Sequence, residues 1–291
     1  MANGNRPGRI GSLAKSILPI IIMVLLQFAA AALVPVLYPY FASETGSLNI
    51  SLFGYTLADY STETGLSQLA NVCYGIIAVF VFGIWYFRAF VRPNRPKRSD
   101  RYPRGFSIHT IFAILFLSIG MQYMTTLVVG IVSYFQPDWL DAYTTLLESS
   151  GYSDITLDLL FYTIILAPIV EELVFRGLMF RFARRATPFV FATLWQAFFF
   201  GLAHLNWIQG IYAFTMALFL GFVVHRGRSI KYSILVHMLF NALGLFASDF
   251  ISSSLEWNYV VVMAVGVFVT IFACWLFFTD FKPIEKEKPK E

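Results

Sequence analysis

APIVEELVFRGLMF, residues 167–180, places two adjacent carboxylates, Glu171 and Glu172, and one guanidinium, Arg176, in an otherwise apolar run. With the apolar residues before it, the stretch extends over 157–180. That is enough for a helix to cross about 30 Å of hydrocarbon. An ionisable side chain at bilayer depth costs about 2.5 to 3.5 kcal/mol on insertion scales, so a helix with three of them needs a reason to carry them. Glu172 and Arg176 are spaced i, i+4 and share a face, which predicts an ion pair that lowers their joint cost. Glu171 points about 100° away from Glu172 around the helix. It lies ten residues from Arg181, or about 15 Å in from the interface, near mid-bilayer. A carboxylate there, beside another and in a dry setting, is suited to act as a general base.

Outward from this stretch the whole chain has the bilayer as its solvent. Of its 291 residues 58% are apolar and 13% charged, against about 25% charged in an ordinary soluble domain, and the mean hydropathy is +0.67. About eight apolar runs appear, at 17–38, 69–87, 110–135, 157–180, 189–205, 208–224, 233–250 and 260–278. Only Asn206 and Trp207 separate the fifth from the sixth, which predicts a tight helical hairpin. The fold class is all-α: a polytopic membrane protein with a single integral membrane domain over 1–291 and its motif-bearing core in 157–250.

Charge placement agrees with this count. All 21 Lys and Arg residues fall at alternate ends of the eight runs, in the N-terminal segment, between Arg88 and Arg104, at 176–185, at 226–231 and in the tail. The opposite loops hold none, and carry Glu44, Asp59, Glu63, Asp138, Asp141, Glu148, Asp154 and Glu256. Because Lys and Arg concentrate in cytoplasmic loops, both termini are expected in the cytoplasm. The net charge of +4 belongs to this sidedness and to anionic lipid headgroups, not to nucleic acid. The basic start of the first run and its small residues Ala29 to Ala32 also fit a signal peptide, but the run continues to Tyr38, longer than a signal core. Asn49-Ile50-Ser51 matches a glycosylation sequon. Cys73 and Cys274 stand far apart in apolar runs and indicate neither a disulfide framework nor a metal site.

Further polar groups fall at membrane depth. His204 ends FFFGLAH in the fifth run, and the seventh holds His237 and Asn241 in HMLFN, again i, i+4 on one face. Counted from Lys231, His237 and Asn241 lie about 9 and 15 Å in, whereas His204 lies about 24 Å from Pro188, a poorer match to Glu171. A carboxylate and an imidazole can hold and deprotonate a water, while a second imidazole and an amide donate to a developing oxyanion. That set hydrolyses an amide without a covalent intermediate. There is no GxSxG run. Zinc chemistry is the nearest rival, since two His and a Glu can bind Zn²⁺, but HExxH is absent and no cofactor is expected. Outside the motifs, His109 and His225 read as interfacial residues, and Gln27, Asn71, Gln122 and Gln196 as interhelical hydrogen-bond partners.

EELVFR fits an EExxxR motif at Glu171, Glu172 and Arg176, FGLAH fits FxxxH at Phe200 and His204, and HMLFN fits HxxxN at His237 and Asn241. With these three motifs in order, the chain resembles the type II CAAX prenyl endopeptidases and their bacterial relatives, the CAAX protease and bacteriocin-processing (CPBP, Abi) proteins. The resemblance covers about 157–250. It implies an eight-helix intramembrane protease whose site opens toward the cytoplasm. Glu171 would activate water with His204, His237 and Asn241 would form the oxyanion site, and Glu172 and Arg176 would support the first Glu. The expected partners are the lipid bilayer and a membrane-associated protein or peptide substrate, prenylated in the eukaryotic members. The expected location is a bacterial plasma membrane. A scaffold or regulator that cleaves nothing, and a transporter with a Glu/His proton relay, remain as alternatives.

Overall fold

The computed structural model describes residues 9–45, 50–93, 106–247, 250–251, 253 and 258–280. Asn49 of the sequon, most of the basic segment between Arg92 and Arg104 and the Lys/Glu tail lie outside the described residues. The protein is all-α and spans the membrane several times. In chain order the helices are α1 (Arg9–Thr45), α2 (Glu63–Val91), α3 (Ile108–Phe135), α4 (Pro137–Ser149), α5 (157–184), α6 (Phe189–Leu202), α7 (Trp207–Gly227), α8 (Ile230–Phe246) and α9 (Tyr259–Asp280). Each of the eight apolar runs falls on a helix. Five of them, α1, α2, α3, α7 and α9, are long and apolar enough to cross a membrane. α6 and α8 are shorter apolar helices.

Start signals are local. Thr62, Ser107, Thr156 and Asn206 each cap a helix by accepting a backbone N–H from three residues on. A two-residue hairpin pairs Ser51–Leu52 with Tyr55–Thr56 through Phe53 and Gly54, both with positive φ. The loop that follows is tied to the start of α5, where the buried Asp158 carboxylate accepts from the Ala58 backbone N–H and the Tyr60 hydroxyl, each at 2.8 Å. Burial and the neighbouring Asp158 raise the pKa of the Tyr60 phenol, so it stays a donor across the physiological range.

Three features depart from the sequence reading. α4, in the acidic loop, is a helix of 13 residues with Pro137 at its first position and Asp138 in its first turn. A search for spans of about 20 apolar residues passes over it. α5 is one continuous rod in which 161–166 and 172–179 take wider π-helical turns. The first precedes Pro168, which has no N–H for the Ile164 carbonyl, so the backbone widens there instead of clashing with the ring. α6 also ends at Leu202, short of the expected 205, so His204 stands in a turn.

α5 packs against α1, α2, α6 and α8, while α9 lies along α3 and α6 along α7. Phe82, Leu117, Phe175, Leu178, Phe200 and Phe277 are fully buried between them. Phe28, Phe80 and Phe268 project outward from α1, α2 and α9, the surface that lipid covers. Small residues let backbones approach, as expected between membrane helices. A Cβ on Gly120 would lie 2.9 Å from the Thr270 backbone nitrogen, whereas one on Gly83 would meet nothing within 4 Å. Gly120→Val is therefore expected to destabilise the α3–α9 contact by about 1–3 kcal/mol. Thermal unfolding in detergent checks this, with Gly83→Ala expected to leave the midpoint unchanged or slightly raised.

Candidate active site

The two glutamates of α5 occupy different environments. Glu172 is fully buried and its Oε1 lies 2.9 Å from Nη1 of Arg176, itself fully buried. The i, i+4 pair thus forms as the spacing predicts. The Arg176 guanidinium also lies over the Phe200 ring, 4.4 Å from its centroid, a cation–π contact in a desolvated setting. Glu171, expected in a dry setting, instead has a side chain 23% exposed and lines a cavity of about 640 Å³. Glu172 is the dry one, because its face of α5 meets α8 and α6, while the face that carries Glu171 is left open.

His237 links the two carboxylates. Its Nδ1 is 3.2 Å from Glu172 Oε1 and its Nε2 is 3.6 Å from Glu171 Oε2. The ring is almost wholly buried and packs edge-on to Phe200 at 6.0 Å. Asn241, one turn on, lines the cavity and donates from Nδ2 to the Thr163 carbonyl at 2.8 Å. A carboxamide nitrogen carries two hydrogens, so one is left to face the cavity.

His204 enters from the turn after α6. Its Nδ1 lies 2.8 Å from the Phe200 carbonyl, which only accepts, so Nδ1 is the donor and Nε2 carries the free lone pair. The ring lines the same cavity as Glu171. The depth mismatch shrinks because α5 runs on to Arg184 and α6 starts at Phe189. Glu171 and His204 then stand about 20 and 22 Å from the ends of their helices. The backbone reversal is close: a Cβ on Gly201 would sit 2.5 Å from the Gly210 carbonyl oxygen.

Glu171, His204, His237 and Asn241 are therefore brought to one cavity. Glu172 and Arg176 sit behind it in the packed protein. Residues not singled out from the sequence complete the wall: Tyr74, Tyr143, Tyr152, Tyr162 and Tyr212 line it, with Tyr143 bonded to Tyr212 and Tyr152 to Thr163, each at 3.3 Å. Aromatic richness, at 18% of the chain, was their only trace in the sequence. Gln27, Asn71 and Gln122 also line the cavity, and Gln122 donates to the Phe240 carbonyl and Gln196 to the Ala217 carbonyl as interhelical partners. His225 stacks on Phe189 at 4.1 Å, away from the site. Among the described residues no three His, Cys, Asp or Glu side chains are grouped as a metal site.

Fold and site together define an all-α integral membrane protein with a cavity between its helices that polar side chains help to line. Residues 154–243, which include all three motifs, match the family described as Type II CAAX prenyl endopeptidase Rce1-like. The match supports the family resemblance carried by the motifs and, in general terms, a CAAX-type membrane protease. No curated protein and no solved structure matches the chain.

Removing one member of a buried ion pair strands the other, at about 3–5 kcal/mol. Arg176→Met should therefore lower stability by that order. The double variant Glu172→Gln/Arg176→Met should recover part of the loss, since no uncompensated charge remains. Thermal unfolding of purified protein in detergent measures both.

Proposed function

We propose that this protein is an intramembrane endopeptidase that hydrolyses a peptide bond of a membrane-associated protein or peptide, using glutamate and histidine to activate water. The observation that carries the reading is the convergence of Glu171, His204, His237 and Asn241, from three separate parts of the chain, on one cavity. The Glu171 carboxylate and the His204 Nε2 lone pair are the two bases facing that space. A water held between them loses a proton as it attacks the carbonyl carbon, and the proton passes to the departing amine. The second amide hydrogen of Asn241 donates to the oxygen on which charge develops, and His237, whose Nδ1–H is held on Glu172, donates to it from Nε2 when the ring carries both protons. Glu172 and Arg176 act from behind, Glu172 by fixing the His237 ring through Nδ1 and Arg176 by neutralising Glu172.

The reading is metal-free. A zinc site would need three donors around an open position, whereas water activation asks only for the Glu171 carboxylate and the His204 imidazole. The proposed setting is the bacterial plasma membrane, with both termini in the cytoplasm. A non-proteolytic scaffold would tolerate loss of the site's acid and bases.

Glu171→Gln and His204→Ala should each abolish cleavage while the protein still inserts and unfolds at its usual temperature. Asn241→Ala should lower kcat by about 10²–10³, the worth of one oxyanion donor. Peptide mass spectrometry of membranes from cells with wild-type protein against Glu171→Gln reads out both activity and substrate. Cleavage that persists in Glu171→Gln would overturn the mechanism. Purified activity should also survive chelators, and its loss on metal removal with return on added Zn²⁺ would replace the metal-free reading.

A further inference from the structure

The cavity occupies one end of the helix bundle. Along α3 its lining runs from Gln122 to Val129, along α7 from Gln209 to Met216 and along α8 from His237 to Leu245, and α4 forms its outer wall with Tyr143 and Leu146. These are the halves of the helices next to the acidic loops. On the other side of Glu171 every residue from Glu172 to Phe180 is buried, and Phe175 and Phe200, which line the cavity there, form its floor.

The two ends also differ in charge. Among the described residues Arg88, Arg181, Arg184, Arg226 and Lys231 stand at the floor end, whereas the loops at the cavity end carry Asp59, Glu63, Asp138, Asp141, Glu148 and Asp154 and no Lys or Arg. A second cleft of about 360 Å³ between α1 and α2 shares Gln27 and Asn71 with the cavity and reaches exposed Glu63. Inside, five tyrosines and the Glu171 carboxylate line the space, a set of aromatic rings and negative charge that favours a cation. An acidic mouth draws positive charge and repels negative.

We propose that the site takes its substrate from the Lys- and Arg-free face, as a chain segment bearing positive charge that the acidic rim attracts and the tyrosine-lined cavity holds. By the bias of Lys and Arg toward the cytoplasm this is the non-cytoplasmic face, the reverse of the cytoplasmic opening that the family resemblance implies. That the ligand is a substrate rests on the endopeptidase reading; the side from which it arrives does not.

The test is thiol accessibility in the full chain, in sealed vesicles of one orientation. With Cys73→Ala and Cys274→Ala as background, single cysteines are placed in the cavity (Thr126→Cys, Gln209→Cys), in an acidic loop (Asp154→Cys) and at the basic end (Arg228→Cys). Membrane-impermeant methanethiosulfonates, one a trimethylammonium and one a sulfonate, are applied from each side. The cavity thiols should react only from the side that modifies Asp154→Cys. After normalisation to each reagent's rate with free 2-mercaptoethanol, the cationic reagent should react about tenfold faster there. Reaction from the side that modifies Arg228→Cys, reaction from neither side, or an anionic rate equal to or above the cationic one overturns the proposal. Adding Glu171→Gln should leave the sidedness unchanged while removing cleavage, so a failed protease reading and a failed access route give different results.

Discussion

A guanidinium and a carboxylate with no solvent exposure, Arg176 and Glu172, set the rotation of the central helix. Each alone would cost several kcal/mol in a dry interior, and only close pairing with further polar contacts offsets that. Nδ1 of His237 supplies one such contact to Glu172, and the face of Phe200 covers Arg176. Partners from α6 and α8 are thus needed to satisfy charges on α5. The ion pair therefore fixes how three helices meet, beyond what apolar packing specifies, since helices in lipid gain little from apolar contact with one another.

Once that pair is fixed, the neighbouring residue has no choice of direction. Glu171, about 100° around the helix, must point out of the sealed face and into the cavity, where its side chain keeps 23% exposure. Two identical side chains in sequence thereby take different settings, one dry and ion-paired, the other open to the cavity. His237 joins the two, so a change at the dry acid is felt at the exposed one through a single ring.

Much of this was legible in the sequence because helical spacing converts directly into contact. The i, i+4 relation of Glu172 to Arg176 gave the ion pair, and that of His237 to Asn241 gave a shared face. Apolar runs gave the helices, since each is about the length a bilayer demands. The setting of Glu171 was not legible: burial depends on which neighbour covers which face, and no pattern on one helix records that. α4 was missed because it is short and half polar, and the π-helical turns of α5 because local patterns describe α-helical spacing. The side on which the cavity lies follows from which helix ends splay apart, a property of packing alone.

α6 has 14 residues and so spans about 21 Å, some 9 Å less than the hydrocarbon core. Its end leaves residues 203–206 as irregular backbone at membrane depth, with Leu205 at positive φ. Lipid does not tolerate such backbone; it persists only where protein buries it or where it borders a water-filled space. The second condition holds here, with Ala203 and His204 lining the cavity, while Asn206 satisfies the Gln209 N–H. A full-length α6 would hold its own backbone bonds but carry an imidazole on a lipid-depth helix with no wet space beside it. The short helix exchanges that regularity for a turn, and the turn brings the His204 ring to the cavity with Nδ1 on the Phe200 carbonyl. The broken backbone that positions His204 can persist at this depth because it borders the cavity and not lipid alone.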